Sequence, residues 1–198
     1  MATLERETKE TSIVVTVAFG AGVADVKLEG ALAGSEPGRA AGASAAFARH
    51  MVETLAKWSG YDVKVHARSK DGLEHHLVED VAITLGRAFR AAIDPGAIAR
   101  VGHAYVPMDE ALVLAAVDLV ERPFYEGDLP DPMMDHFMRS FATEGGMTLH
   151  LVVVRGRNPH HVVEAAVKAT AVAIREATKP RAERLSTKGA VALRREGA

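Results

Sequence analysis

Two stretches decide the fold: residues 74–85, EHHLVEDVAITL, and residues 159–170, PHHVVEAAVKAT. Each opens on His-His-x-x-Glu and continues with apolar residues at helical spacing, so each reads as an amphipathic helix. The motifs, His75-His76-x-x-Glu79 and His160-His161-x-x-Glu164, lie 85 residues apart. Working outward, the first helix is ended by Asp94–Pro95. It follows an alternating strand over 61–68 (YDVKVHAR) and a helix over 45–58, with Phe47, Met51, Leu55 and Trp58 on one face and Ser44 as its cap. The second copy repeats this order: a helix over 132–144 stopped by Gly145-Gly146, a strand over 147–154, and the helix over 159–179. Two copies are too few for a solenoid, so the repeat reads as a duplicated half-domain.

Further strands are expected at 11–19, at 23–29 (pairing with 11–19 across the Gly20–Gly22 turn), at 102–107 and at 112–119. Residues 34–44 and 123–132 read as loops. The expectation is one α+β domain of two pseudo-repeats, about 1–95 and 96–180. Each half supplies a mixed sheet covered on one face by helices, and 181–198 form a charged, mobile tail.

Composition narrows the function. The chain has 198 residues, 48% hydrophobic and 25% charged, enough for a substantial core. Its net charge of −2 provides no global field for nucleic acid or an anionic membrane. No stretch reaches 18 apolar residues and no secretory pattern follows Met1, so the expected location is cytoplasmic. With no Cys and nine His, any transition-metal chemistry must run on imidazole and carboxylate.

Positions i and i+4 share a helix face, so His75 and Glu79 can grip one ion, as can His160 and Glu164. The intervening His76 and His161 are rotated by about 100° and point towards a different ion. The economical arrangement is reciprocal: His75 and Glu79 borrow His161, while His160 and Glu164 borrow His76. One further histidine per ion would come from His50, His66, His103, His136 or His150.

The strings EHHLVEDVAITLG, VPMDEALVLAAVDL, NPHHVVEAAVKA and STKGAV, with RETKET near the start, resemble the imidazoleglycerol-phosphate dehydratase family of histidine biosynthesis from about Arg6 to Val191. That resemblance implies a ribosomal-S5-domain-2-like fold and two Mn²⁺ per active site. One ion would be held by His50, His75, Glu79 and His161, the other by His76, His150, His160 and Glu164. His66, His103 and His136 are left as ordinary residues, although His136 lies 86 residues after His50 and symmetry alone points to it. Arg100, Arg122, Lys168, Ser186 and Lys188 would bind the phosphate, with the tail closing over the site.

The implied reaction is dehydration of D-erythro-imidazoleglycerol phosphate to imidazole acetol phosphate. The substrate's imidazole, bound between the metals as an imidazolate, would expel the C3 hydroxyl. Glu10 is the expected base for the C2 proton, with Glu164 as an alternative proton shuttle. The resemblance also implies a homo-oligomer of twenty-four subunits with active sites at subunit interfaces. Rival readings are a metal-dependent hydrolase of a phosphorylated small molecule and a metal-binding paralogue without activity. The chain departs from the family pattern at Arg49 (usually Asp), Glu74 (usually Asp), Trp58-Ser59 (usually His-Gly) and Val120-Glu121 (usually Ser-Gly).

Overall fold

The computed structural model describes residues 1–31, 45–94, 96 and 98–182. The first half runs β1 (Ala2–Glu7), β2 (Thr11–Phe19), β3 (Ala24–Glu29), α1 (Ala45–Ser59), β4 (Tyr61–Ser69) and α2 (Glu74–Ala92). The second runs β5 (Val101–Met108), β6 (Ala111–Asp118), β7 (Phe124–Glu126), α3 (Pro132–Glu144), β8 (Thr148–Arg155) and α4 (Pro159–Ala177). The element order is the same in both halves, and so is the strand order: β1-β2-β4-β3 and β5-β6-β8-β7. The duplication is therefore structural.

β3 departs from expectation. It pairs in parallel with β4, Val26 against Val65, and not with β2 across the glycine turn. Asp62 Oδ1 accepts hydrogen bonds from the backbone N–H of Ala21 and Val23, which carries the chain past the edge of β2 and across to the far side of β4. Parallel neighbours need a long crossover, and the segment holding α1 provides it. The second half does the same with β7, α3 and β8. β7 is only three residues long, between prolines at 123 and 130, and the proline content of 123–132 concealed it. β1 also goes unread in the sequence, because its alternation carries charged residues on the open face. Ser44 and Pro95, expected to bound helices, lie outside the described residues.

The inner faces of the sheets bury alternate β-branched and small residues: Ile13, Val15 and Val17 on β2, and Val113, Ala115 and Val117 on β6. α2 covers β1, β2 and β4, and α4 covers β5 and β6. Between the sheets the halves interlock, since α1 packs on α4 and α3 packs on α2. Phe89 of α2 meets Phe141 of α3 edge-on, with ring centroids 5.4 Å apart and both side chains fully buried. A buried carboxylate pins α2 to the first sheet: Asp80 takes Arg6 Nη2 at 2.6 Å and Thr11 Oγ1 at 2.5 Å. The second repeat has Ala165 at the matching position and no such anchor.

The α2–α3 contact needs a glycine. A Cβ at Gly86 would stand 2.5 Å from the carbonyl oxygen of Phe141 and 2.9 Å from the amide nitrogen of Gly145. Both are backbone atoms that cannot swing aside, so Gly86→Ala must push α3 away from α2. We expect a loss of about 1–3 kcal/mol, seen as a lower urea midpoint with the slope unchanged. An unchanged midpoint would mean that α3 is free to shift.

Candidate metal centre

The interlocked helices set which donors meet. α1 lies on α4, so His50 Nε2 stands 3.6 Å from Glu164 Oε2, and His160 Nε2, one turn from Glu164 on its own helix, stands 3.3 Å from the same oxygen. α3 lies on α2, so His136 Nε2 stands 3.2 Å from Glu79 Oε1 while His75 Nε2 is 3.6 Å from Glu79 Oε2. Within one chain the grouping thus differs from the one expected. His50 joins His160 and Glu164 instead of His75 and Glu79, and His136 takes the position beside Glu79. The cause is the packing: the first helix of each half faces the second helix of the other half.

Glu164 is buried, which pushes its pKa up. The Lys168 ammonium, 2.7 Å from Oε1, together with His50 and His160, outweighs that and holds the carboxyl below its ordinary value. Lys168 therefore occupies one oxygen and leaves the other to the two imidazoles.

His76 and His161 point elsewhere, as helix geometry requires. The His75 and His76 rings lie 6.3 Å apart at 75°, and the His160 and His161 rings 6.0 Å apart at 83°. Each outlying histidine is clamped through Nδ1 by a carboxylate: His76 by Asp71 Oδ2 at 2.6 Å, and His161 by Glu110 Oε2 at 2.7 Å. Such a clamp fixes the tautomer and leaves Nε2 as the nitrogen with a lone pair for an ion; at His161 it lies 3.4 Å from Asn158 Nδ2 and 3.5 Å from Asp109 Oδ2. The clamps are themselves held. Glu110 Oε1 accepts the backbone N–H of Asn158, and Asp71 Oδ1 accepts that of Leu73. These contacts, the histidine first, depress Asp71 and Glu110 to about 2 and raise both imidazoles. Glu10 stands 3.7 Å from His76 Nδ1, placing the expected base beside a candidate ligand.

His150 sits apart. It projects from β8 on the outer face of the second sheet, in line with Ala116 and His103, whereas α4 covers the opposite face. Its ring neighbour is Phe124, at 5.4 Å. The chain therefore does not bring His150 to His160 and Glu164.

The imidazole donors present suit a borderline divalent cation such as Zn²⁺, and the carboxylates also admit the harder Mn²⁺. One of these donors, His136 Nε2, is a buried nitrogen without a hydrogen bond of good geometry, and it faces Glu79 Oε1 at 3.2 Å.

Known proteins match the chain over most of its length. The family model described as imidazoleglycerol-phosphate dehydratase matches residues 43–174. The dehydratase of Pyrobaculum calidifontis is 43% identical over 93% of this chain and 96% of its own. That of Dictyoglomus thermophilum is 36% identical over 96% and 98%. The Pyrococcus furiosus enzyme, crystallised with the compound (S)-C348, superposes with a TM-score of 0.76 at 31% identity, covering 95% of this chain and all of that one. The chain belongs to the imidazoleglycerol-phosphate dehydratase family. Enzymes of this family are hydro-lyases.

The residues that depart from the dehydratase pattern have local partners. Arg49 faces Glu53 one turn on, at 3.7 Å. Glu121, at φ 57°, turns to Arg90 at 2.9 Å. Glu74 Oε1 accepts the backbone N–H of Ala45 and so helps start α1, the helix that carries His50. Trp58 lies beneath the Lys168 ammonium, 5.3 Å from ring centroid to nitrogen.

Of the expected phosphate residues, Arg100 is engaged by both oxygens of Asp118, at 2.7 and 2.9 Å, and Arg122 is exposed. Lys168 lies with Glu164. Ser186 and Lys188 lie outside the described residues. The chain enters that segment beside Arg100, because Pro180 bridges to Ile98 and the Lys179 carbonyl accepts from the N–H of Ala99.

Sequence reasoning missed Asp71 and Glu110, and it weighed His136 but set it aside for His150. Glu110 lies inside the quoted VPMDEALVLAAVDL, and the 86-residue spacing pointed to His136.

The clamps have a pH signature in the metal-free chain. A raised imidazole pKa contributes fully below pH 6.5 and fades as the pH climbs through the folded value. A depressed carboxyl contributes fully above pH 4.5 and is lost towards 2. The His161–Glu110 pair is therefore complete between about pH 4.5 and 6.5. In an NMR titration His161 should titrate above 6.5, and Glu110→Gln should return it towards that value. Identical titrations for both proteins would rule the clamp out.

Proposed function

We propose that the chain catalyses the manganese-dependent dehydration of D-erythro-imidazoleglycerol phosphate to imidazole acetol phosphate in histidine biosynthesis. The observation that carries this reading is the doubled donor set on two pseudo-symmetric helices, with Glu10 next to the clamped His76. The donors would be His75 and Glu79 on α2, His160 and Glu164 on α4, with His50, His76, His150 and His161. Two Mn²⁺ held there supply Lewis acidity towards the substrate's imidazole ring and template its orientation.

The chain's own residues do the rest. Asp71 and Glu110 keep His76 and His161 in one tautomer, so both present Nε2. Glu10 is half-exposed, at the turn after β1, where its carboxylate can take the C2 proton. The buried Asp80–Arg6–Thr11 anchor holds the ends of β1 and β2 on either side of that turn. Lys168 holds Glu164 ionised, and can also meet the substrate phosphate together with Arg100, Arg122, Ser186 and Lys188.

The reading also needs a second copy of the chain. Among the described residues, His76 and His150 are not brought to the His160–Glu164 pair. The sheet face that carries His150 is apolar and open, with Val101, Tyr105, Phe124 and Val152 all close to half exposed or more. Such a face suits burial against another subunit. We therefore propose a homo-oligomer, of twenty-four copies in the family's manner, with sites completed at subunit interfaces. Among the described residues no helix is long and apolar enough to cross a membrane, and a cytoplasmic location is part of the proposal.

Two experiments test it. With Mn²⁺ and imidazoleglycerol phosphate the protein should form the enolisable ketone, and Glu10→Gln should lower kcat by about 10²–10⁴-fold with the metal content unchanged. A metal-loaded wild type that yields no product would refute the activity, and a Glu10→Gln variant at full rate would refute the base. Chelation should shrink the particle seen by light scattering, because the ions join chains. A large particle that survives complete metal removal would contradict metal-coupled assembly.

A further inference from the structure

The geometry points to Arg90 and Glu121 as a positioning pair for Arg122: their ion pair holds the left-handed turn that presents Arg122 and keeps the Glu121 carboxylate away from an incoming phosphate. The inference rests on the reading of Arg122 as a phosphate-binding residue, and it adds two residues outside the expected phosphate set.

Two fixed points bracket the segment. The Leu119 N–H donates to the Arg100 carbonyl at 3.0 Å, and the Arg122 carbonyl accepts from Thr148 Oγ1 at 2.9 Å. Between the end of β6 and the start of β7 the chain turns, and Glu121 makes the turn at φ 57°. A residue with a Cβ rarely adopts this conformation, and one that does is held there by its surroundings. The family pattern usually has glycine at this position, the residue that takes such a turn freely. Here a glutamate stands in its place and needs a partner to hold it.

Arg90 is that partner. Its Nη2 and Nε donate to Glu121 Oε1 at 2.9 and 3.2 Å. Arg90 lies in the last turn of α2, where the helix carbonyls favour a cation. The turn after α3 seats the pair from another side: a Cβ at Gly146 would stand 3.4 Å from Arg90 Cδ and 3.5 Å from Glu121 Cα. Ile93, Leu119 and Gly145 complete the hollow around the pair. Three segments are thus tied together: the end of α2, the turn after α3 and the β6–β7 connection.

The charge pattern gives the pair its role. Val101 pairs with Asp118, so Arg100, just before β5, and Arg122, just after β6, leave the second sheet at the same end. Each arginine has a carboxylate close by in the chain or across the strands. Asp118 engages Arg100 with both oxygens, whereas Glu121 turns to Arg90. A carboxylate beside Arg122 would compete with a phosphate for its guanidinium, and commitment to Arg90 prevents this. Arg90 lies about four turns, roughly 22 Å, along α2 from His75, so the pair acts without touching the metal donors.

The test compares steady-state kinetics of the full-length, Mn²⁺-loaded protein with those of Arg90→Gln, Arg90→Lys and the double variant Arg90→Gln/Glu121→Gly. Inorganic phosphate, as a competitive inhibitor, reads the same site. Arg90→Gln should raise KM and the phosphate inhibition constant about three- to fivefold, with kcat and metal content unchanged. Arg90→Lys, which keeps the charge, should restore most of the affinity. The double variant should return to the wild-type constants, because the competing carboxylate is gone and glycine takes the turn unaided. A KM that Arg90→Gln leaves unchanged would overturn the pair. So would a double variant no better than Arg90→Gln, since the loss would then come from damage to the turn and not from the released carboxylate. A wild type that forms no product would instead remove the dehydratase reading on which the pair depends.

Discussion

The structure depends on the crossed packing of its four helices, α1 on α4 and α3 on α2. Each half-domain builds the same sheet, and each sheet needs its apolar face covered. The first helix of each half meets that need partly by packing on the second helix of the other half. This buries the aromatic contact between Phe89 and Phe141 and requires the bare backbone at Gly86. It also brings a histidine from each first helix, His50 or His136, to the glutamate of the facing motif. Fold stability and donor assembly therefore depend on the same contact.

Helix periodicity then divides each His-His pair. The first histidine and the glutamate share a face, and the second histidine is turned away and held by a carboxylate from a neighbouring loop or strand end. Asp71 and Glu110 perform this task in the two halves from different sequence positions: one lies five residues before its histidine, the other 51 residues before. The two halves thus meet the same orientational requirement with non-equivalent residues. The Asp80 anchor, with Ala165 in its place in the second half, and Lys168, with Ile83 in its place in the first, show the same divergence.

Much of this was legible in the sequence. The long helices and the central strands carry uninterrupted periodicity, so the duplicated order of elements emerges from the chain alone, and the family follows from the motifs. Strand partners were less legible. β3 reads as the second arm of a hairpin because adjacency in sequence suggests pairing, and only the Asp62-capped turn and the α1 crossover send it to β4. The site was legible in its residue types but not in its grouping. Spacing along one helix assigns His75 to Glu79 and His160 to Glu164, but which outside histidine joins each pair is decided by helix packing. No local pattern encodes that choice, although the offset between His50 and His136 reflects it.

The central claim is that each doubled motif feeds two different ions and that one chain does not complete the set. The most direct test is a crystal structure of the Mn²⁺-loaded protein with ion positions fixed by anomalous scattering. The account predicts two ions per chain: one at His50, His160 and Glu164, the other at His75 and Glu79, with His76 and His161 reaching ions held by a different copy. Both histidines of one motif on a single ion, or both ions fully liganded by one chain, would contradict it.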